Sequence, residues 1–392
     1  MKILAIETSC DETAIALVDA KGGINKPQFN IQKNLVASQI KIHQPFGGVV
    51  PNLAKREHLK NLPILFNKIL NSKSYILNSI DIIAVTVGPG LEPALWTGIN
   101  FAKEKFKELK IKNKKLKLIG ANHLDGHLYS NILENFKINK NKNIFPAIAL
   151  IISGGHTILI KMDSFDKYKK IGETRDDAVG EAFDKVARLL NLPYPGGPEI
   201  EKIAKKGNPN AINFPRPMLN QKNNDFSFSG LKTAVLYFLK DQQKLGVKIF
   251  FHSAALRPSG HGVSPIGETS EAEAPVSELA GRANGSEKKN LYDVAASFQK
   301  AAFDVLIAKT LRAVNENKAK SIFISGGVAS NKTLKKEFQK AIKKKFSKKD
   351  APILTITKFP TDNAAMIAVA GYINFLRKKN RRLTAKGDIS IN

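Results

Sequence analysis

The sequence predicts an α/β protein of two similar lobes, and three observations carry that expectation. Apolar strand segments alternate with helical segments along most of the chain. A strand, a tight polar turn and a second strand occur together twice, which is the mark of a duplicated unit. One stretch departs so far from the composition around it that it reads as inserted into this plan.

Taken in order, the first unit is the strand Ile3–Ile6, the turn Glu7-Thr8-Ser9-Cys10-Asp11-Glu12-Thr13 and the strand Ala14–Val18. The second is Ala147–Ile152, the turn Ser153-Gly154-Gly155-His156 and Thr157–Ile160. A further strand, Ser321–Ile324, runs into Ser325-Gly326-Gly327-Val328-Ala329-Ser330-Asn331 and opens a helix from about Lys332. Glycine lets such turns leave backbone N–H groups free as a nest for an anion. Helices are expected over Leu53–Leu70, Ala94–Leu109, Ala182–Leu190, Val294–Asn315 and Asn363–Phe375. The expected division is an N-terminal lobe (1–118), a C-terminal lobe (119–376) whose segment 361–376 returns to the lobe interface, and a basic tail (377–392). From His252 to Glu287 lysine disappears and Ser, Gly, Pro, Ala and Glu take over, so 252–287 is expected to be a disordered insertion. Its histidines, His252 and His261, are therefore poor metal candidates.

Composition narrows the class. At 392 residues the chain can bury a substantial core. The N-terminal apolar run is too short for a signal peptide and no segment is long and apolar enough to span a bilayer, so a cytoplasmic protein is expected. A single cysteine, Cys10, excludes an intrachain disulfide. The net charge of +28 suits a polyanionic partner, but lysine far outnumbers arginine throughout. A genome-wide composition bias gives the same result, and charge alone decides nothing.

The chemistry-bearing motifs are individually weak. Asn122-His123-Leu124-Asp125-Gly126-His127 places imidazoles four apart, on one helix face, where they could share a metal, with Asp125 orienting one ring. A bare pair of this kind is more often surface or satisfied core. A zinc-protease motif needs Glu directly after the first His, and Leu124 stands there. Asp362 is a third candidate ligand, although its position before a helix equally suits an N-cap. In Asp176-Asp177-Ala178-Val179-Gly180-Glu181-Ala182-Phe183-Asp184 the carboxylates suit a helix start, while Asp184 could instead bind a ribose. Tyr194-Pro195-Gly196-Gly197-Pro198 is either a turn or a wall for a flat ligand.

In order, ETSCDET, GGVVPNLAKREH, GPGLEPAL, NHLDGH, SGGHT, DDAVGEAFDK, YPGGP, FPRPM, DFSFSGLKT, SGGVASN and TDNAAMIA resemble one family over Met1 to about Leu376, the insertion apart. That family is the tRNA N6-adenosine threonylcarbamoyltransferases, long misnamed O-sialoglycoprotein endopeptidases. The resemblance implies the actin/sugar-kinase/Hsp70-like fold. It implies one divalent metal per subunit, Fe2+ before Zn2+, on His123, His127 and Asp362. It implies threonylcarbamoyl adenylate bound against Ile151, Ile152, Ser153, Gly154, Gly155, Asp184, Gly197 and Asn331. The implied acceptor is the adenosine 3′ of the anticodon in tRNAs reading codons that begin with A, with AMP released. Implied partners are a paralogous dimer subunit and a small P-loop ATPase. Asn122 and Asp125 replace the family's usual His and Glu, and Asn52 its usual Glu. Asp11 or Glu12 could take the proton of the attacking amine. The competing readings are an ATP-dependent kinase on the same fold, against which stands the histidine pair, and a non-catalytic paralogue, which would have lost the metal ligands.

Overall fold

The computed structural model describes residues 1–70, 79–133, 143–245, 285–379 and 381–391. Most of the expected insertion 252–287 lies outside the described residues; only 285–287 fall inside, at the start of a helix.

The apolar runs read from the sequence become the centres of two sheets. The first contains β1 (Lys2–Glu7), β2 (Glu12–Lys21), β3 (Gln28–Ser38), β4 (Ile82–Gly88) and β5 (Lys117–Asn122), in the order β3-β2-β1-β4-β5. The second contains β6 (Ala147–Ile152), β7 (Thr157–Met162), β8 (Tyr168–Glu173), β9 (Ser321–Ser325) and β10 (Ile353–Ile356), in the order β10-β9-β6-β7-β8. In each, the first three strands form an antiparallel meander, and the last two add in parallel beside the first. Substituting β6–β10 for β1–β5 reproduces the same sheet, so the duplication is one of topology as well as of turns. Strands β1, β6 and β9 lie inside their sheets and are buried on both faces, which is why they read as unbroken apolar runs; β4 is as deeply buried but is not among the strands expected from the sequence. Edge strands β3 and β8 alternate with polar residues and gave no such signal.

The helices are α1 (Ile40–His43), α2 (Pro51–Leu70), α3 (Glu92–Lys112), α4 (His123–Tyr129), α5 (Val179–Leu189), α6 (Gly196–Ala204), α7 (Ser229–Lys244), α8 (Gly285–Glu316), α9 (Lys332–Lys345) and α10 (Ala364–Leu376). Side-chain alternation sorts them into layers. Leu4, Ile6, Ile83 and Val85 face outward onto Leu62, Phe66, Leu95 and Ile99 of α2 and α3. Ile148, Leu150, Ile322 and Ile324 face outward onto α5, α7, α8 and α9. Between the sheets, Ala5, Ala16 and Ala84 face Ala149, Ile151 and Phe323 across α4 and α10, within one continuous cluster.

Small residues let α10 ride close to the first sheet. A Cβ on Gly371 would come 2.6 Å from the Ala84 Cβ. The helix is therefore buried from Ala364 to Asn374 and sits at the interface of the two lobes. The position expected for the lobe boundary, 118/119, falls inside β5. Residues 381–391 lie along the first lobe: Lys386 N–H donates to the Val87 carbonyl, Asn122 Nδ2 donates to the Ser390 carbonyl, and Ala385 and Ile391 are buried.

Candidate metal centre

The duplicated plan explains where the candidate ligands meet. Helix α4 follows β5, the last strand of the first sheet, and α10 follows β10, the last strand of the second. His123 and His127 are one turn apart on α4, and Asp362 stands just before α10, so equivalent corners of the two lobes supply the cluster. Ligand atoms of all three lie within 4.8 Å of one another. Asp362 Oδ1 is 3.1 Å from His127 Nε2 and 3.5 Å from His123 Nε2. The cap of α10 is Asn363, whose Oδ1 accepts from Met366 N–H, so the carboxylate of Asp362 is free to face the imidazoles.

Behind His123, Glu7 Oε2 lies 3.1 Å from Nδ1, and the Ser9 hydroxyl is also 3.1 Å away. Glu7 in turn accepts hydrogen bonds from Thr86 Oγ1 and from Ser9 N–H. In its neutral form, an imidazole pinned at Nδ1 by a carboxylate keeps its proton there and presents a bare Nε2 to a cation that displaces the second proton, the arrangement that prepares a metal ligand. Asp125, expected to do this, does not touch either ring. At 100° per residue, a position two from each histidine lies on the opposite side of the helix. Asp125 instead accepts from the Tyr168 hydroxyl at 2.8 Å and from Arg381 at 3.3 Å, tying β8 and the C-terminal segment to α4.

The electrostatics suit a cation. Burial alone would lower His123, but Asp362 and then Glu7 override it and raise the ring to about 9. Burial alone would raise Asp362, but His123 and His127 hold it well below the usual carboxylate range. His127 is pushed down by burial, and both of its ring nitrogens are buried without a hydrogen-bond partner of acceptable geometry. Two imidazoles and a carboxylate, with an orphaned ring nitrogen aimed among them, fit a divalent metal of the iron or zinc type.

Of the remaining expected site residues, Glu12 is linked electrostatically to this cluster, and the others are placed by their own contacts. Asp11 is buried, and Glu12 is pushed up to about 10 by burial first, then by Asp362 and Asp11. His156, which the sequence reading left unassigned, is lowered to about 4 by burial and then by His123 and His127. The Ser153–His156 turn is tight: Ser153 N–H donates to the His156 carbonyl, and Ser153 Oγ accepts from His156 N–H. A Cβ on Gly154, Gly155 or Gly197 would meet nothing within 4 Å. Ile151 and Ile152 bury their side chains on opposite faces of β6 and offer a ligand only backbone. Asp184 Oδ1 accepts from Gly196 N–H at 2.7 Å, and burial raises its carboxyl to about 6. Asn331 caps α9 by accepting from Thr333 and Leu334 N–H, and its Nδ2 donates to Gln299, so its side chain is committed to holding the loop.

Residues 30–369 match the family model of the tRNA N6-adenosine threonylcarbamoyltransferases (TsaD). The chain belongs to this family. It is 44% identical to the tRNA N6-adenosine threonylcarbamoyltransferase of Thermosipho melanesiensis over 374 residues, covering 95% of this chain and 94% of that protein. It is 39% identical to the enzyme of that name from Clostridioides difficile over 395 residues, 99% of this chain and 98% of that one. A solved structure of HypF from T. kodakarensis shares the fold, with a TM-score of 0.54 at 13% identity over 96% of this chain and 48% of HypF. The two-lobe plan is thus the actin/sugar-kinase/Hsp70-like one, and the chain is a transferase of its family. No helix among the described residues is long and apolar enough to cross a membrane.

Proposed function

We propose that this chain transfers the threonylcarbamoyl group of threonylcarbamoyl adenylate to the N6 amine of the adenosine 3′ of the anticodon, in tRNAs reading codons that begin with A. The observation that carries the reading is the His123–His127–Asp362 cluster, assembled from equivalent corners of the two lobes in a chain of this family. The N6 lone pair forms a bond to the carbamoyl carbon, the carbon–oxygen bond to the phosphate breaks, and AMP leaves with the bonding pair while N6 gives up one proton. Because the donor is already activated, the protein's work is to position reactants and stabilise charge.

A metal on His123, His127 and Asp362, Fe2+ in preference to Zn2+, supplies Lewis acidity and a template there. Glu7 orients His123 for that task. Ser153, Gly154 and Gly155 offer the open turn in which the donor's phosphate sits, at the end of Ile151 and Ile152. Asp184 and Gly197 line the nucleoside side, with Asn331 fixing the loop opposite. Asp11 and Glu12 are the candidate acceptors of the N6 proton. Burial and the neighbouring carboxylates of Asp362 and Asp11 push Glu12 up, and a cation at the triad acts in the opposite direction. Cytoplasmic localisation, a paralogous dimer subunit and a small P-loop ATPase needed for turnover complete the reading.

The experiment is to incubate the purified chain with threonylcarbamoyl adenylate and tRNA, with and without such partners, and to analyse digested tRNA by mass spectrometry. Threonylcarbamoyladenosine is expected. Its absence even with partners, from protein that binds metal, overturns the reading. Asp11→Asn and Glu12→Gln, compared in single turnovers, identify the base; transfer at the parental rate in both removes the pair from that role.

A further inference from the structure

The turn that presents Asp11 and Glu12 is held at three successive carbonyls, each by a different stretch of chain. Leu91 N–H donates to the Ser9 carbonyl, and Gln39 N–H donates to the Asp11 carbonyl. Between them, the Cys10 carbonyl lies 2.9 Å from His58 Nε2 on α2. His58 is the one side chain among these donors.

The surrounding polar groups admit a single assignment of protons. A carbonyl only accepts, so His58 Nε2 carries the hydrogen and the neutral ring's Nδ1 is bare. Into that Nδ1 the Thr13 hydroxyl donates at 2.8 Å, and Gln39 Nε2 lies 3.3 Å away. Gln39 Nε2 also points at Thr13 Oγ1 (3.4 Å) and the Ala54 carbonyl (3.5 Å), which fixes Oε1 on the other side. There His43 Nε2 donates to it at 3.1 Å, and His43 Nδ1 accepts from Val50 N–H at 3.3 Å. The chain therefore runs in one sense, from the Val50 N–H through His43, Gln39, Thr13 and His58 to the Cys10 carbonyl. Thr13, Gln39, His43 and His58 are fully buried, so no water completes an alternative pattern cheaply. Burial lowers both rings, which keeps them in the neutral form the chain requires; the titratable groups near His58 are Glu7, Asp11 and His43.

We propose that His58 is a positioning residue of the active-site turn: its Nε2–H clamps the Cys10 carbonyl and so fixes the backbone that carries Asp11 and Glu12. Its effect on catalysis rests on the transferase reading; the clamp itself does not. Cys10 is the sole cysteine of the chain, so thiol modification reports on this turn and on nothing else.

The test uses the full-length, metal-loaded protein. Cys10 alkylation by iodoacetamide is followed by mass spectrometry in wild type, His58→Leu and His58→Gln, beside tRNA transfer kinetics. Leucine removes the donor, whereas the glutamine amide reaches the place of Nε2. His58→Leu is expected to be alkylated about tenfold faster and to lose about tenfold in kcat with KM for tRNA unchanged, and His58→Gln to recover both to within about twofold. Folded His58→Leu protein with Cys10 as protected as in wild type overturns the proposal. Should His58→Leu not fold, 15N NMR of the wild-type imidazole decides: an Nε2–H neutral ring at pH 7 supports the clamp, and an Nδ1–H or charged ring sinks it. Wild-type protein that transfers nothing refutes the transferase reading alone, and leaves the alkylation and NMR results to judge the clamp.

Discussion

Glu7 Oε2 and His123 Nδ1 lie 3.1 Å apart across 116 residues of sequence, joining the end of the first strand to the first imidazole of α4. Glu7 is fully buried, and its other contacts, from Thr86 and Ser9, hold the carboxylate toward the ring. Replacing such a partner usually weakens a metal site without dismantling it. Glu7→Gln is therefore expected to bind Fe2+ or Zn2+ about 10- to 100-fold less tightly. Competition against a chelator of known affinity measures this, and parental affinity in the variant would show that Glu7 does not orient the ligand.

Asp362 and Asn363 are neighbours with separable duties. Asn363 caps α10, and losing such a cap costs about 1 kcal/mol, with a range near 0.5–2. Asp362 makes no cap and faces the two imidazoles. Asn363→Ala should thus lower the melting temperature while retaining metal, whereas Asp362→Asn should lose metal, together with whatever stability its buried pairing with His123 gives the apo-protein. Both quantities come from one preparation, by thermal denaturation and elemental analysis. If Asp362→Asn retained stoichiometric metal, the proposed ligand set would fail.

How far the sequence foretold this arrangement depended on whether a feature was local. The duplicated sheets were visible because each begins with a buried strand, a polar turn and a second strand, and burial on both faces writes an unbroken apolar run. The helix pair His123 and His127 followed from the 3.6-residue period. Glu7 did not, because a buried glutamate at a strand end says nothing of a ring 116 residues away. Asp125, close in sequence, reads as able to orient one of the two rings, but the same helical period that aligns the histidines turns it away. Asn331 stood in a ligand-like motif, yet both ends of its amide are spent on α9 and Gln299, a use that only the fold reveals. Edge strands β3 and β8 were missed because their half-exposed faces carry as many polar as apolar residues.

Two classes of glycine in the site should respond oppositely to alanine. Gly155 has open space where a Cβ would go, so Gly155→Ala should fold with the melting temperature of the parent. If the turn seats the donor's phosphate, the methyl group occupies that seat and KM for threonylcarbamoyl adenylate rises, by about tenfold for one displaced charge-assisted contact. Gly326 has φ +88°, and a Cβ there would come 2.3 Å from the Ile152 carbonyl. Gly326→Ala should lose stability whatever its effect on kinetics. An unchanged KM in Gly155→Ala would move the phosphate elsewhere in the cleft.

Asp184 offers a pH test whose sign follows from its surroundings. Burial raises its carboxyl from the ordinary 3.8 to about 6, more than the hydrogen bonds from Gly196 and Gly197 lower it. Between these two values the folded chain keeps a proton that the unfolded chain has released. The folded state then binds more protons, so this group's contribution to stability falls as pH rises from about 4 to about 6 and is level above that. Asparagine cannot ionise, and its Oδ1 can still accept from Gly196 N–H. Asp184→Asn should therefore gain on wild type in melting temperature through this window, and the gain should stop growing above about pH 6. If the carboxylate also binds the donor's ribose, the same variant should raise KM for threonylcarbamoyl adenylate at neutral pH, where the wild-type group is ionised. A stability difference that stays constant from pH 4 to 7 would mean that Asp184 titrates normally and is better solvated than its place beside Gly196 indicates.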